Sequence, residues 1–386
     1  MTATVLALAL AARAAAEPAA ATTEARPLMG TLVSITVVGA SSRTARAGVE
    51  AAFAALDRVD RVMSEWRAES PLSELNRAAG SGRWTSLPAD LCLVLRFALE
   101  GSRRTAGLFD PTWAALRDLW RFDQASPVVP SDAALQERCT LVDYRKLELD
   151  PARGSAACRA RLAEAGMQVG LGGVAKGWAV DQAVRALRSA GLRNFVVQAG
   201  GDLYAAGSNR GRPWKISIRD PRGAPDEAFA SLAVRDQALS TSGDYENFFV
   251  AGGVRYHHLV DPRTCRPATA SRSASVLARS AVEAEILSKA AFILGGAAAL
   301  DLVAGWSAAA VLVDAEGRLV VSPALAHRLG GRTPRPRSAR ALAGRRPPAG
   351  TGRHRRARRA SPAAASPPGA RARRGPSLPP TGRRRS

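Results

Sequence analysis

The sequence predicts an α+β fold, on three observations. Short apolar runs rich in β-branched residues and amphipathic helical runs follow one another in no fixed alternation, so the rhythm of a doubly wound parallel sheet is missing. No motif recurs at a spacing of about 20–50 residues, which excludes a solenoid or propeller. Over 386 residues, 46% are hydrophobic and 23% charged. That is ordinary for a globular protein with a large core, and it excludes a wholly disordered chain, a collagen-like fibre and a coiled coil.

The elements are read in chain order. Leu28 to Val38 alternates β-branched positions and reads as a strand. Ser42 to Met63 places Ala51, Phe53, Leu56, Val59 and Val62 at helical spacing, a helix to pack on that strand. A second helix runs from Ala89 to Ala106 and stops at Gly107, where a loop, Gly107-Leu-Phe-Asp-Pro-Thr-Trp113, leads into Leu116–Trp120. Asp143 to Leu149 is a strand. Met167–Val169 enters a glycine-rich turn, and Gly177 to Ala190 is a helix with Ala179, Val180, Ala183, Val184 and Leu187 on its apolar side. Leu192 to Gln198 is a buried strand ending at Gly200-Gly201-Asp202. Trp214–Ile218, Ala228–Val234 and Tyr256–Val260 are further strands, Glu283–Leu294 is a helix, and Ala308–Val313 with Arg318–Val321 forms a closing hairpin around Ala315-Glu316-Gly317.

Both ends depart from this pattern. Of the net charge of +22, 17 units come from arginines after Gly331, a segment without any acid, which leaves +5 for the rest. That segment is Arg, Pro, Ala, Gly and Ser with almost no large apolar residue, so it cannot bury enough surface to offset ordering entropy and is expected to be disordered. A basic arm can bind nucleic acid. The folded part carries no such excess, and no nucleic-acid partner is expected. At the other end, an apolar run over residues 1–12, then Ala14-Ala15-Ala16 before Glu17-Pro18, fits a secretory leader, although no Lys or Arg precedes the run. The expected organisation is a leader over 1–27, one folded domain over 28–330 and a tail over 331–386, with the protein exported to the periplasm or another extracytoplasmic site. Cys92, Cys139, Cys158 and Cys265 lack CxxC spacing, so neither a zinc site nor a thioredoxin-like motif is expected. Cys139 and Cys158 could pair in an oxidising compartment, but spacing alone does not decide it.

Three constellations carry chemistry. Val169-Gly-Leu-Gly-Gly-Val-Ala-Lys-Gly177 imitates a dinucleotide fingerprint, but a lone glycine pattern is weak. The safer reading is that backbone N–H groups and Lys176 hold an anion such as phosphate. Next, Ser240-Thr-Ser-Gly-Asp-Tyr-Glu246 precedes Tyr256-His-His-Leu-Val-Asp-Pro-Arg-Thr264. The chain has four histidines, and if one does acid–base work it is His257 or His258. Finally, Glu285 and Ser288 or Lys289 share one face of the Glu283–Leu294 helix, and a carboxylate with hydroxyl and carbonyl oxygens suits Mg²⁺.

These segments join others in a fixed order: Met29-Gly30-Thr31; Ser64-Glu65-Trp66 with Ser70 and Leu75-Asn76; Gly107 to Thr112; Leu171 to Asp181; Gly200 to Asp202; Thr241 to Tyr245; His258 to Thr264; and Ala284-Glu285 with Ser288. The ordered set resembles the ApbE family, the FAD:protein FMN transferases once named thiamine-biosynthesis lipoproteins, over roughly residues 28–330. The resemblance implies a mixed α/β sandwich with a single catalytic domain. It also implies a Mg²⁺-dependent reaction. FAD is cleaved at its pyrophosphate, FMN is attached by a phosphoester to a Thr or Ser of an acceptor flavoprotein, and AMP leaves. The acceptor would be a redox-complex subunit or an FMN-binding-domain protein, and any membrane contact would come through it.

Carried over motif by motif, Met29, Trp66, Leu108, Phe109 and Asp110 would line the FAD site. Gly170 would stand at a cofactor position where the family often has Asp. Lys176 would face the cofactor, and Leu259 would touch it beside the candidate base His258. The metal ligands would be the Gly173 carbonyl, Glu285 and the Ser288/Lys289 step. The family usually has Asp and then Thr on the metal helix, where this chain has Glu285 and Lys289, and a protonated Lys cannot ligate Mg²⁺. The glycine of the family's Asp-Pro-x-Thr-Gly turn is Cys265 here. The alternatives are a protein that binds or hydrolyses FAD without transfer, an NAD-dependent oxidoreductase built on Gly170–Ala175, and a nucleic-acid binder acting through its tail.

Overall fold

An eight-stranded sheet crosses the middle of the computed structural model, its strands lying side by side in chain order: β1 (Thr22–Leu28), β2 (Thr31–Val37), β3 (Phe195–Ala199), β4 (Asp202–Ala206), β5 (Gln237–Gly243), β6 (Ser271–Ala278), β7 (Ala309–Asp314) and β8 (Leu319–Val321). Every neighbouring pair is antiparallel. The structure describes residues 21–122, 127–151 and 158–331. The expected leader as far as residue 20, and the tail from residue 332, lie outside the described residues. Among the described residues, no helix is long and apolar enough to cross a membrane.

The central strands of the sheet, β4, β6 and β7, are buried on both faces. On one side lie α1 (Ser42–Met63), α2 (Ala89–Arg104), α3 (Ala175–Ser189) and α4 (Ala281–Leu294). On the other lies a small antiparallel sheet of Trp214–Arg219, Ala228–Val234 and Leu329–Gly331. Strand alternation sends Tyr204 and Ala206 of β4 toward the helices, and Leu203 and Ala205 toward the second sheet. The α+β expectation holds, as a sandwich of helices, large sheet and small sheet. The antiparallel order also removes the dinucleotide reading of Gly170–Ala175, because that fingerprint joins parallel strands through a crossover helix.

Local periodicity located α1 at both ends and placed Ala228–Val234 correctly. Three expectations need correction. The strand expected over Leu28–Val38 is broken by a tight turn at Met29 and Gly30, whose φ values are +53° and +70°, and residues assigned to the leader form β1. Asp143–Leu149 begins with a 3₁₀ turn, Tyr144–Lys146, and the strand starts only at Leu147 and runs to Pro151. Tyr256–Val260 is not one strand, since pairing stops at His257 and resumes at Val260. The sequence also hid β4, β5 and β6, whose small and hydroxyl-bearing residues have poor strand character. They are buried by the layers around them, and several of their hydroxyls are paired, as in Thr241 Oγ1 to Ser275 Oγ at 2.8 Å.

The cysteines pair as Cys92–Cys158 and Cys139–Cys265, so the suggested Cys139–Cys158 bridge is not formed. Sequence nearness misled there, because Cys158 sits in a strand beneath α2, opposite Cys92.

A tertiary cap fixes the start of α4. The Asp181 carboxylate on α3 accepts the N–H groups of Ala281 (2.9 Å) and Val282 (3.0 Å), donors that the helix itself cannot satisfy. Replacing Asp181 by Ala is expected to lower unfolding free energy by about 1–2 kcal/mol, the loss of a helix cap, read from urea or thermal denaturation.

Candidate active site

A cleft of about 650 Å³ opens where the turns of the sandwich meet. The β1–β2 turn brings Met29. The loop after α2 brings Leu108, Phe109 and Asp110, and the glycine-rich turn before α3 brings Gly173 and Lys176. The break after His257 brings His258 and Leu259, and α4 brings Lys289.

Beneath these lies a four-charge cluster. Glu285 of α4 is fully buried and Asp202 of β4 nearly so, whereas the side chains of Lys176 and Lys289 are 25% and 21% exposed. Lys176 Nζ lies 2.8 Å from Glu285 Oε1 and 3.6 Å from Asp202 Oδ2, and donates to the Gly172 carbonyl at 2.8 Å. Lys289 Nζ is 3.4 Å from the same Glu285 oxygen. Glu285 Oε2 accepts the Gly177 N–H at 2.7 Å, and Asp202 Oδ1 accepts the Ser240 hydroxyl at 2.5 Å. The glycine-rich turn and Lys176 thus hold an anion, but that anion is the protein's own Glu285.

Burial opposes ionisation of Glu285, yet the two lysines outweigh it and hold its pKa below the ordinary value. Asp202 is raised, by burial and then by repulsion from Glu285. Lys176 is raised because Glu285 and Asp202 outweigh its burial. For Lys289, burial wins and lowers the pKa.

The two histidines separate clearly. His257 is spent on the fold: one ring nitrogen lies 2.9 Å from the Ala268 carbonyl, and the other accepts the Leu259 N–H at 3.3 Å. His258 lines the cleft, and its Nδ1 is buried without a hydrogen-bond partner. Its pKa is pushed down to about 4, first by burial, then by His257, Lys289 and Lys176.

Of the other expected site residues, some stand apart from the cleft. Trp66 is 75% exposed, does not line it, and has the Arg117 guanidinium 4.9 Å over its ring. The tryptophan in the cleft is Trp113, at the end of the loop already singled out, and Phe109 and Tyr245 line the cleft as well. Gly170 is buried away from the cleft, and a Cβ there would meet Ala114, Arg117 and Glu65 at 2.9–3.0 Å. The Glu65–Arg117 pair, 2.7 Å apart, fills the space that a longer side chain would need. Asp110 reaches the cleft, but its carboxylate accepts from the Thr112 N–H and hydroxyl and from the Tyr144 N–H, so it braces the loop. Ser288 is fully buried and bonded to the Ser240 and Ser242 hydroxyls.

These surroundings do not fit the expected metal ligand set. One Glu285 oxygen faces two ammonium groups and the other a backbone N–H, Ser288 is turned into the sheet, and the Lys289 methylenes come within 3.1 Å of where a Gly173 Cβ would stand. Among the described residues, no three His, Cys, Asp or Glu side chains gather as a metal site. Sequence reasoning passed over Asp202 as a site residue, although it noted the acid ending Gly200-Gly201-Asp202.

The disulfide Cys139–Cys265 closes the loop that follows His258. Cys265 has φ +57°, a conformation that favours glycine. Replacing both Cys139 and Cys265 by Ser is expected to cost about 2–4 kcal/mol of stability. Pairing Cys139→Ser with Cys265→Gly should recover about 1 kcal/mol of that, because glycine takes positive φ freely. Denaturation of the two double variants makes the comparison.

The sequence profile of the ApbE family matches residues 29–312. The FAD:protein FMN transferase of Treponema pallidum is 36% identical over 284 residues, covering 69% of this chain and 77% of the relative. That of Vibrio cholerae serotype O1 is 32% identical over 277 residues, covering 70% of this chain and 80% of the relative. Among solved structures, the ApbE protein of Thermotoga maritima aligns with a TM-score of 0.72 at 29% identity, over 80% of this chain and 99% of that one. The flavin transferase ApbE from Vibrio cholerae aligns at 0.69 and 28% identity, over 79% of this chain and 98% of that one.

Proposed function

The chain belongs to the ApbE family, and from that premise we propose that it is an FAD:protein FMN transferase. One observation carries the reading within this molecule: a neutral His258, whose Nδ1 has no partner, and two lysine ammonium groups line the same cleft. Phosphoryl transfer asks for positioned reactants and stabilised charge more than for covalent catalysis. Met29, Leu108, Phe109 and Leu259 offer the flavin an apolar wall. The lysines face the pyrophosphate, and His258 takes the proton from the acceptor hydroxyl as FMN moves to it and AMP departs. The expected Mg²⁺ has no part in this account, because the side chains that would ligate it are engaged with lysines and serines.

The acceptor in this proposal is a protein offering a Thr or Ser, either a redox-complex subunit or a protein with an FMN-binding domain. All four cysteines are paired, which supports an oxidising, extracytoplasmic location, with any membrane contact made through the acceptor.

Co-expression with an FMN-binding-domain protein and intact-mass analysis of that acceptor test the reading. An acceptor carrying one FMN is the expected result. AMP released from FAD with no adduct would mean a hydrolase, and FAD retained without AMP would mean a binding protein.

A further inference from the structure

We infer that the Lys289 ammonium contacts the FAD pyrophosphate directly and takes the place of a divalent cation. The inference rests on the transferase reading. Its grounds are where the charges stand and how their hydrogen bonds are shared.

Glu285 is fully buried and does not line the cleft, whereas both lysines do; Asp202 reaches the lining but is nearly buried, and its Oδ1 is taken by the Ser240 hydroxyl. In this cluster the charges open to an entering anion are therefore the ammonium groups, with side chains 25% and 21% exposed against 4% and 0% for the carboxylates. The lysines are not equivalent. Lys176 makes two short hydrogen bonds, to the Gly172 carbonyl and to Glu285, both at 2.8 Å, and forms an ion pair with Asp202 at 3.6 Å, so its ammonium is held tightly within the protein. Lys289 makes two long contacts, both to Glu285: 3.3 Å to its backbone carbonyl and 3.4 Å to its carboxylate. That leaves Lys289 with donor capacity toward the cleft.

Lys289 also stands where a cation would have to be. Its Cδ and Cε pack along Gly173, and its Nζ shares Glu285 Oε1 with Lys176. A Mg²⁺ ion needs near-octahedral oxygen ligands at about 2.0–2.1 Å. To reach Glu285 it would have to displace an ammonium group and then sit beside the other, against their repulsion. The extra methylene of Glu285, compared with Asp, carries its carboxylate to both lysines and to the N-terminus of α3. The cluster balances two negative charges with two positive ones and leaves no deficit for a divalent ion.

The test is calorimetric titration of the full chain with FAD, and separately with inorganic pyrophosphate, in EDTA and in Mg²⁺. For the wild type, the Kd for each is expected to agree between the two buffers within about twofold. Lys289→Met should weaken both ligands about tenfold or more in EDTA, the scale of a charge-assisted hydrogen bond, and Lys289→Arg should restore most of the loss. Glu285→Asp combined with Lys289→Thr should bind poorly in EDTA and recover with Mg²⁺. Circular dichroism checks that each variant is folded. A wild-type Kd that rises tenfold in EDTA, or a Lys289→Met variant that binds as the wild type does, would overturn the inference. Failure of FAD to bind in either buffer would instead remove the flavin reading, and the pyrophosphate titration would still decide the role of Lys289.

Discussion

Replacing His258 by Ala is expected to lower FMN transfer about 100-fold or more, the scale of a positioned general base, while FAD binding is kept. The expectation comes from its place in the cleft and its unpartnered Nδ1. Burial and three positive or polar neighbours lower its pKa to about 4, so the imidazole is neutral and ready to accept a proton across the physiological range. A pyrophosphate in the cleft brings negative charge toward the same lysines, which relaxes their effect on His258 and moves its pKa up. The pH profile of kcat/KM, which reports the free enzyme, should therefore fall off in acid near pH 4, and that of kcat at a higher pH. A His258→Ala enzyme that transfers FMN at the wild-type rate would exclude the role. For stability the sign is also set. Because the folded pKa is depressed below 6.5, the unfolded chain binds the proton more readily, so stability falls as pH drops from about 6.5 toward 4. His258→Ala should lose that part of the slope.

Lys176→Met is the second large effect. It would leave Asp202 and Glu285 buried with Lys289 alone, and removing one partner of a buried ionic cluster costs about 3–5 kcal/mol. Unfolding by urea should show this loss. Adding Glu285→Gln to Lys176→Met should return part of it, since the uncompensated charge goes with the carboxylate. If Lys176→Met is as stable as the wild type, the cluster does not hold the α3–α4 contact together.

Much of the site was legible in the sequence because its residues sit in local motifs. The turns at Met29, Leu108–Asp110, Gly173–Lys176 and His258–Leu259 were all singled out, and all reach one cleft. Trp66 came in with the Ser64-Glu65-Trp66 motif, but its side chain is largely exposed and does not line the cleft. Neighbouring histidines look alike in a sequence, and only their surroundings separate them: His257 bonds to the Ala268 carbonyl, and His258 meets the cleft.

What the sequence by itself determined is what short-range periodicity and composition encode. Those are the extent of α1, the strand Ala228–Val234, the α+β class and the ordered motifs of the ApbE family. Tertiary structure alone decided the rest. It buried the serine-rich strands β5 and β6 between layers, paired Cys139 with Cys265, and set Lys176 against Glu285 across 109 residues of chain. The physical reason is that periodicity reports which face of one element avoids water, whereas the state of a buried charge depends on which elements pack against it. Glu285 and Lys289 could read as a metal ligand with a misplaced lysine until α3 brought Lys176 and the Gly177 N–H to the same carboxylate.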